Sequence, residues 1–420
     1  MKKSKAYRAV DVKKVNWQDM LEGRAGQEAQ VGLDIGKERI FCTLRWGSSD
    51  FERPWRVQNP SEVRLLAERL SVLSDGRRLL VAMEPTGTYG DALRQALAEA
   101  KVAAHRVSPK MASDFAEIFD GVPSQHDGKD AGVVAELAAQ GRCWPWVWSQ
   151  GSDADQEMEY WVDWLDAQRR QMMMWLGRLE ALVSRHWPEA TRLVRLRSAV
   201  LLEALKRYGG PAGLANDGKG LGRVRAWGGS FLTADKAQAL VASAATTVGV
   251  KQTCWDQQRL QTYASEVLAC RQQQRQATRR LQELAKGNEV IDSQAAIVGA
   301  ATACVLWVHL GDPREYHCSA AYRKAMGLNL AERSSGRYQG ELKISKRGPA
   351  MVRRWLYLAA LRQVAREPAR SWYQRQKEAR QGESKPAVIG VMRKLSMALH
   401  QVGGRGQKFD VAKMFAAAEE

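Results

Sequence analysis

Four acidic residues stand where a carboxylate is costly to place unless it has a partner. Asp34 and Glu84 each end a short apolar run that predicts a buried strand. Asp127 and Asp130 are three residues apart, so on a helix they share one face of a single turn. A desolvated carboxylate destabilises a fold unless it is paired or binds a cation. We therefore expect these four side chains to act together.

The chemistry that suits such a set is metal-assisted cleavage or transfer at a phosphodiester. Mg²⁺ prefers hard oxygen ligands and keeps several waters, so two or three carboxylates around one point suffice to hold it. Two ions about 4 Å apart activate an attacking oxygen and stabilise a leaving one. We predict Asp34, Glu84, Asp127 and Asp130 as Mg²⁺ ligands.

Simpler readings exist for individual acids. Asp34 alone fits a turn acid at the end of a strand, and Gly36 after it fits a turn. Asp127 or Asp130 alone fits a helix cap, since acids are favoured at helix N-termini, but the pair exceeds what capping needs. A phosphate loop of the actin or sugar-kinase type is a further reading of residues 31–44. It is disfavoured because the sequence has no second Gly-rich phosphate loop downstream.

The elements that must position these acids follow an alternating pattern. We predict a basic arm over residues 1–28 and an α/β domain of RNase H-like fold over 29–150. Strands are predicted at 31–35, 39–46, 52–58, 78–84 and 101–107, and helices at 61–71, 91–100, 108–119 and 131–140.

The rest of the chain reads as mostly helical. A coiled coil or helical hairpin is predicted over residues 151–290, because apolar residues recur at spacings of three and four residues in 157–186 and 252–286. The Gly-rich stretch 208–222 between them predicts a loop. Residues 291–420 predict a second, mostly α domain. Its helices are expected at 295–310, 319–326, 349–366 and 386–401, with a loop or hairpin at 327–348.

Charge and cysteine usage restrict the class of protein. The formal net charge is +18, and residues 291–420 hold 22 Lys/Arg against 11 Asp/Glu, which favours a polyanionic partner, nucleic acid first. The six cysteines form no C-x-x-C pair, as expected of reduced thiols. The N-terminus lacks a signal-peptide core, and the longest apolar run, 295–308, is too short for a bilayer. We expect a cytoplasmic protein with no membrane contact.

Short motifs in order along the chain carry a family resemblance. Leu33-Asp-Ile-Gly36, Met83-Glu-Pro-Thr-Gly87 and Asp127-Gly-Lys-Asp-Ala131 resemble the RuvC-like domain of the DEDD transposases of bacterial insertion sequences. The second half resembles the C-terminal domain of that family. Its motifs are Gly311-Asp, Ala320-Ala-Tyr322, Met326-Gly-Leu328, Ser334-Ser-Gly336, Ile344-Ser-Lys-Arg-Gly348, Val352-Arg-Arg-Trp-Leu356, Lys385-Pro-Ala387 and Met392-Arg-Lys-Leu395. The resemblance covers about 31–148 and 291–402.

The resemblance implies a nucleoid-associated recombinase that excises and inserts its own element under the direction of a bridge RNA. It also implies a serine nucleophile that forms a phosphoserine link to DNA, matched here by Ser335, with Ser334 as the second choice. DNA, RNA and a dimer or tetramer of the chain are the implied partners. The predicted nucleic-acid-binding residues are Arg333, Arg337, Lys343, Lys346, Arg347, Arg353 and Arg354.

The sequence departs from the family pattern in three places, one of which is the long, Trp-rich helical insert between the two matching regions. Residues 297–303 lack its Gly-Ile-Gly-Pro hairpin, and 328–331 lacks its usual proline. Two other functions stay open. One is a RuvC-like nuclease or junction resolvase that uses the acids alone, for which Ser335 would be dispensable. The other is a non-catalytic nucleic-acid-binding protein, against which the four intact acids argue.

Overall fold

The computed structural model describes residues 7–47, 50–85, 87–121, 126–149, 151–332, 340 and 342–415. The chain forms two compact units, Met1–Gln150 and Gly151–Glu420. The first is a mixed α/β unit and the second is mostly helical. Among the described residues, none of the helices combines the length and the apolar character needed to span a bilayer.

A mixed sheet forms the centre of the first unit. Its strand order is β1-β5-β3-β2-β6-β7-β8, with β4 beside β3. The strand β2 pairs antiparallel with β3 and parallel with β6, which itself pairs parallel with β7. The strands are β1 (Val10–Asp11), β2 (Ala29–Ile35), β3 (Arg39–Trp46), β4 (Asp50–Phe51), β5 (Trp55–Gln58), β6 (Leu79–Met83), β7 (Ala104–Arg106) and β8 (Trp144–Pro145).

Helices cover both faces of this sheet, so its central strands are apolar on both sides. Alternate residues of a strand point to opposite faces. Val31 and Leu33 of β2 lie in one core with Leu66 and Leu97. Ala82 of β6 lies in a second core on the other face. The helices are α1 (Trp17–Leu21), α2 (Val63–Ser74), α3 (Asp91–Glu99), α4 (Pro109–Phe119) and α5 (Asp127–Ala139).

The structure corrects the prediction of a loose arm over residues 1–28. Val10 pairs with Trp55 at the edge of the sheet. Val12 and Trp17 are buried in the core beneath it. The arm packs because its sparse apolar residues lie where β5 can pair with β1, which becomes the edge strand of the sheet. A second correction concerns the strand predicted over 52–58, which begins only at Trp55, directly after Pro54, a residue that has no N–H to donate to a ladder.

Two long antiparallel helices form the frame of the second unit. The guanidinium of Arg280 donates to both carboxylate oxygens of Glu157 at 2.5 and 2.8 Å, and the rings of Trp175 and Tyr263 stack at 5.2 Å. These pairs join early residues of one helix to late residues of the other. The two helices are α6 (Asp153–His186) and α12 (Cys254–Ala285).

Each end of the α6–α12 pair belongs to a different apolar core. Met158 and Leu281 join the core that contains the C-terminal helices, whereas Leu179 and Val267 join the core of the short helices between α6 and α12. The remaining helices are α7 (Ala190–Leu193), α8 (Ala199–Tyr208), α9 (Pro211–Ala215), α10 (Gly220–Gly228), α11 (Ala234–Ala245), α13 (Glu289–Val298), α14 (Ala300–Leu310), α15 (Ser319–Ala325), α16 (Ala350–Gln363), α17 (Ala369–Glu378), α18 (Ser384–Arg405) and α19 (Val411–Phe415).

Three further predictions for this unit are corrected by the structure. The Gly-rich stretch 208–222 is not a loop, because Gly209 ends α8 with φ +67° and Pro211 opens α9 at once. The helix predicted over 295–310 is two helices that meet at Gly299, whose φ is +85°. The helix α17 was not predicted. The expected hairpin is present as an antiparallel pair, β9 (Leu330–Ala331) and β10 (Lys343–Ile344).

Candidate metal centre

Three of the four predicted acids converge in the first unit. Asp34, Asp127 and Asp130 each offer one carboxylate oxygen, and these oxygens lie within 4.8 Å of one another. Asp34 stands near the end of β2, while the other two occupy the first turn of α5. The spacing of Asp127 and Asp130 brings both toward the strand, as their three-residue separation predicts. Residues 93 positions apart in sequence thus form one anionic cluster.

Close packing of α5 on β2 sets this geometry. A Cβ on Gly32 would lie 2.0 Å from the carbonyl oxygen of Ala131 and 2.4 Å from the backbone nitrogen of Ala135. Gly32 and Asp34 point to the same face of the strand, because they are two residues apart. The helix backbone therefore rests on the strand where a side chain is missing, and its first turn lies over Asp34.

Buried polar contacts hold the start of α5 in place. Lys129, only 2% exposed, forms an ion pair of 2.8 Å with Asp120. The hydroxyl of Thr43 on β3 donates to the carbonyl oxygen of Gly128 at 3.1 Å. Tyr7 donates to the second oxygen of Asp120 at 2.9 Å, and burial raises the pKa of Tyr7 to about 12. Gly128 and Lys129 thus anchor the turn whose flanking acids face the strand.

The electrostatics of the cluster are those of crowded, partly desolvated anions. Burial first, and then the charges of Asp130 and Asp127, raise the pKa of Asp34 to about 6. Burial and the charge of Asp127 likewise raise the pKa of Asp130, although Lys129 and His126 oppose the effect. Asp34 and Asp130 are therefore less stable as anions than they would be in water.

Glu84 lies beside this group. It follows Met83, which pairs with Leu33 in the parallel ladder of β2 and β6, so it stands next to Asp34 across the sheet. Burial raises the pKa of Glu84, and the charges of Asp34 and Asp130 raise it further. Glu84 is outside the group of three whose oxygens lie within 4.8 Å. It contributes negative charge at the rim of the same cluster.

The residues present fit a divalent cation such as Mg²⁺. Every donor of the trio is a carboxylate oxygen, the ligand type that Mg²⁺ and Mn²⁺ prefer. Within the described ranges, none of these four acids has a hydrogen-bond donor or an ion-pair partner. A cation would relieve the repulsion among these carboxylates, which adds to burial in raising the pKa values of Asp34, Glu84 and Asp130. The three aspartates are the residues that would hold it, with Glu84 adjacent.

The predicted residues of the second unit fall into three groups. Ser335, Ser334, Arg333 and Arg337 lie outside the described residues. Lys343 on β10 is exposed, as are Lys346 and Arg347 after it. Arg353 and Arg354 are engaged within the unit, which the sequence did not indicate. Arg353 donates to the carbonyl oxygen of Gly348 at 2.6 Å, and Arg354 to Asp166 at 2.7 Å.

Sequence reasoning missed the roles of Gly32 and Lys129. A glycine inside an apolar strand is itself a signal, because it marks a bulge or a close backbone approach. A lysine between two acids predicts a solvated side chain, and nothing local shows that Lys129 turns inward to Asp120.

Comparisons with known proteins add information on the second unit only. No curated protein matches the chain. The sequence model of the IS116/IS110/IS902 transposase family matches residues 296–374, a region that runs from α13 into α17 and contains Ser335. This match supports an insertion-sequence transposase, and with it a DNA-recombining function, for the chain.

Proposed function

We propose that this protein is an RNA-guided DNA recombinase that excises and inserts an insertion-sequence element through a phosphoserine–DNA intermediate. Ser335 is the nucleophile, and Asp34, Glu84, Asp127 and Asp130 hold Mg²⁺. The observation that carries the proposal is the convergence of Asp34, Asp127 and Asp130 in a chain whose residues 296–374 match a transposase family. The acidic cluster alone does not require a serine nucleophile, so Ser335 needs a test of its own.

The arrangement of the first unit supports an RNase H-like, RuvC-like assignment. Its five central strands run in the order β5-β3-β2-β6-β7, with antiparallel pairing on one side of β2 and parallel pairing on the other. The acids lie at the carboxyl end of β2, just past the carboxyl end of β6 and on the helix that covers them. Function is argued here from this site, because a fold by itself supports many activities.

The proposed chemistry starts with the serine hydroxyl. Its oxygen bonds to the phosphorus, the bond from phosphorus to a sugar oxygen breaks, and that oxygen gains a proton. A hydroxyl of the incoming strand reverses these steps and frees the serine. Mg²⁺ held by the acidic cluster would stabilise charge at the phosphate and would lower the pKa of an attacking hydroxyl. A serine hydroxyl is a weak nucleophile that needs such activation.

Charge and helical architecture support the remaining parts of the proposal. The formal charge of +18 favours DNA and a structured RNA as partners. The antiparallel pair α6–α12 is the element that we propose for self-association into a dimer or tetramer, because recombination must cut and rejoin four strands. The domain limits 1–28, 29–150, 151–290 and 291–420 remain part of this proposal.

A recombination assay on a plasmid that carries the element ends tests the function. We expect excision to need both the RNA from the element and Mg²⁺, and to be lost in Asp34→Asn, Asp127→Asn and Ser335→Ala. Asp114→Asn is the matched control, because Asp114 is an exposed acid on the neighbouring helix α4. Cleavage that survives Ser335→Ala but not Asp127→Asn would indicate the metal-dependent nuclease instead.

A further inference from the structure

A groove in the second unit is rich in arginine, which supplies five of its eleven described lining residues. It has a volume of about 670 Å³ and lies between α12 and α16, with α6 beneath. Five arginines supply its charged lining and one tryptophan its aromatic lining, and no carboxylate is among its described lining residues. These six residues are Arg169, Arg271, Arg275, Arg279, Arg354 and Trp355.

Three of the arginines form a straight row. Arg271, Arg275 and Arg279 follow one another at four-residue spacing on α12, so they share one face of the helix. The rise of an α-helix places successive members about 6 Å apart and the outer two about 12 Å apart. A row of this length matches an extended ligand with repeated negative charges better than it matches one compact anion.

The positive charge of the row is uncompensated. Within the described part of the chain, Arg275 and Arg279 have neither an ion pair nor a side-chain hydrogen bond, and both are exposed. Arg271 donates to the carbonyl oxygen of Arg197, and burial together with the charges of Arg275 and Arg197 lowers its pKa. Like charges held together in this way are stabilised by an anion.

The opposite wall is ordered and partly apolar. Asp166 accepts from Arg354 at 2.7 Å and from Arg169 at 3.2 Å, which fixes both guanidinium groups. Trp355 is half-buried beside them, and Leu358 is 41% exposed. Sites for nucleic-acid strands typically combine arginines that contact the phosphate backbone with an aromatic side chain on which bases stack.

We infer that this groove binds the phosphodiester backbone of a nucleic-acid strand, with Arg275 and Arg279 as its principal phosphate contacts. The site is separate in sequence from the acidic cluster and from Ser335. The inference rests on the proposed function only in taking nucleic acid as the polyanion. RNA and DNA share this chemistry, and the experiment distinguishes them.

The test measures equilibrium binding of the full-length protein to labelled single-stranded RNA, single-stranded DNA and duplex DNA of one sequence, across several salt concentrations. The test variant is Arg275→Ala with Arg279→Ala. The control variant, Arg185→Ala with Arg259→Ala, removes the same charge from exposed arginines at the other end of the α6–α12 pair. Binding is measured without Mg²⁺, so the result does not depend on cleavage.

We expect the test variant to bind at least one probe about tenfold more weakly, with the slope of log K against log salt reduced by about 1.4 for a single strand. The control variant should keep the wild-type affinity and the wild-type slope. The variant Arg275→Lys with Arg279→Lys should keep the slope. The probe that loses affinity identifies the strand as RNA or DNA. An unchanged slope, or equal losses in test and control variants, would overturn the inference while leaving the recombinase proposal intact.

Discussion

Gly32 on β2 and Ala131 on α5 are so close that a Cβ on the glycine would lie 2.0 Å from the alanine carbonyl oxygen. This contact fixes the distance between the strand that carries Asp34 and the helix that carries Asp127 and Asp130. The acidic cluster therefore depends on a residue that has no side chain.

Gly32→Ala should destabilise the first unit by about 3 kcal/mol and weaken cation binding, because the helix must move away from the strand. Gly177→Ala is the matched control. Gly177 is exposed on α6 with nothing within 4 Å of an added Cβ, so the same change should stabilise that helix by up to about 1 kcal/mol. Chemical denaturation of the three proteins measures both effects. Equal stability of Gly32→Ala and the wild type would contradict the packing argument.

Sequence patterns predicted most of the first unit, since strand and helix periodicity there is set by burial on both faces of the sheet. Asp34 and Glu84 were predictable for the same reason, because each interrupts or follows an apolar run, whereas Asp127 and Asp130 were predictable from their three-residue spacing on a helix. The packing of residues 10–17 on the sheet was not predictable, because it depends on pairing with β5, which is distant in sequence. The break at Gly299 and the inward turn of Lys129 likewise depend on neighbours that local patterns do not encode.

Divalent cations should raise the melting temperature of the protein by binding to the cluster. Mg²⁺ or Mn²⁺ binds the folded state and not the unfolded chain, so the shift should grow with concentration. Asp127→Asn should abolish most of it, since Asp127 is an exposed member of the trio and its change does not disturb the core. Asp114→Asn should retain it. Thermal melts in chelator and in a series of Mg²⁺ concentrations provide the measurement.

In chelator, the pH dependence of stability should report the raised pKa of Asp34. In the folded state the pKa of the Asp34 carboxyl is about 6, whereas the pKa of an ordinary aspartate is 3.8. The folded state thus binds more protons between these values, and the free energy of unfolding falls as pH rises through this window. Asp34→Asn should melt at a higher temperature than the wild type at pH 7.5. The difference in melting temperature between the two proteins should disappear toward pH 4. A difference that stays constant with pH would show that the raised pKa of Asp34 is not its cause.

The buried ion pair of Lys129 and Asp120 should matter far more than an exposed one. Lys129→Met leaves Asp120 without its cation, so we expect a loss of about 3 kcal/mol. The double variant Lys129→Met with Asp120→Asn should regain part of the lost stability. Lys110→Met, which removes the exposed pair of Lys110 with Asp114, should cost under about 0.5 kcal/mol. Urea titrations of these four proteins compare the values, and equal costs for the two lysines would refute the anchoring role.

The most direct measurement is a search for a covalent protein–DNA adduct on a denaturing gel. The protein receives the RNA encoded beside its element, donor and target DNA, and Mg²⁺. Four proteins are compared, namely the wild type, Ser335→Ala, Ser334→Ala and Asp127→Asn. We predict an adduct in the wild type and in Ser334→Ala, and none in Ser335→Ala or Asp127→Asn. DNA cleavage without any adduct, unaffected by both serine variants and lost in Asp127→Asn, would contradict the serine recombinase and establish a metal-dependent nuclease.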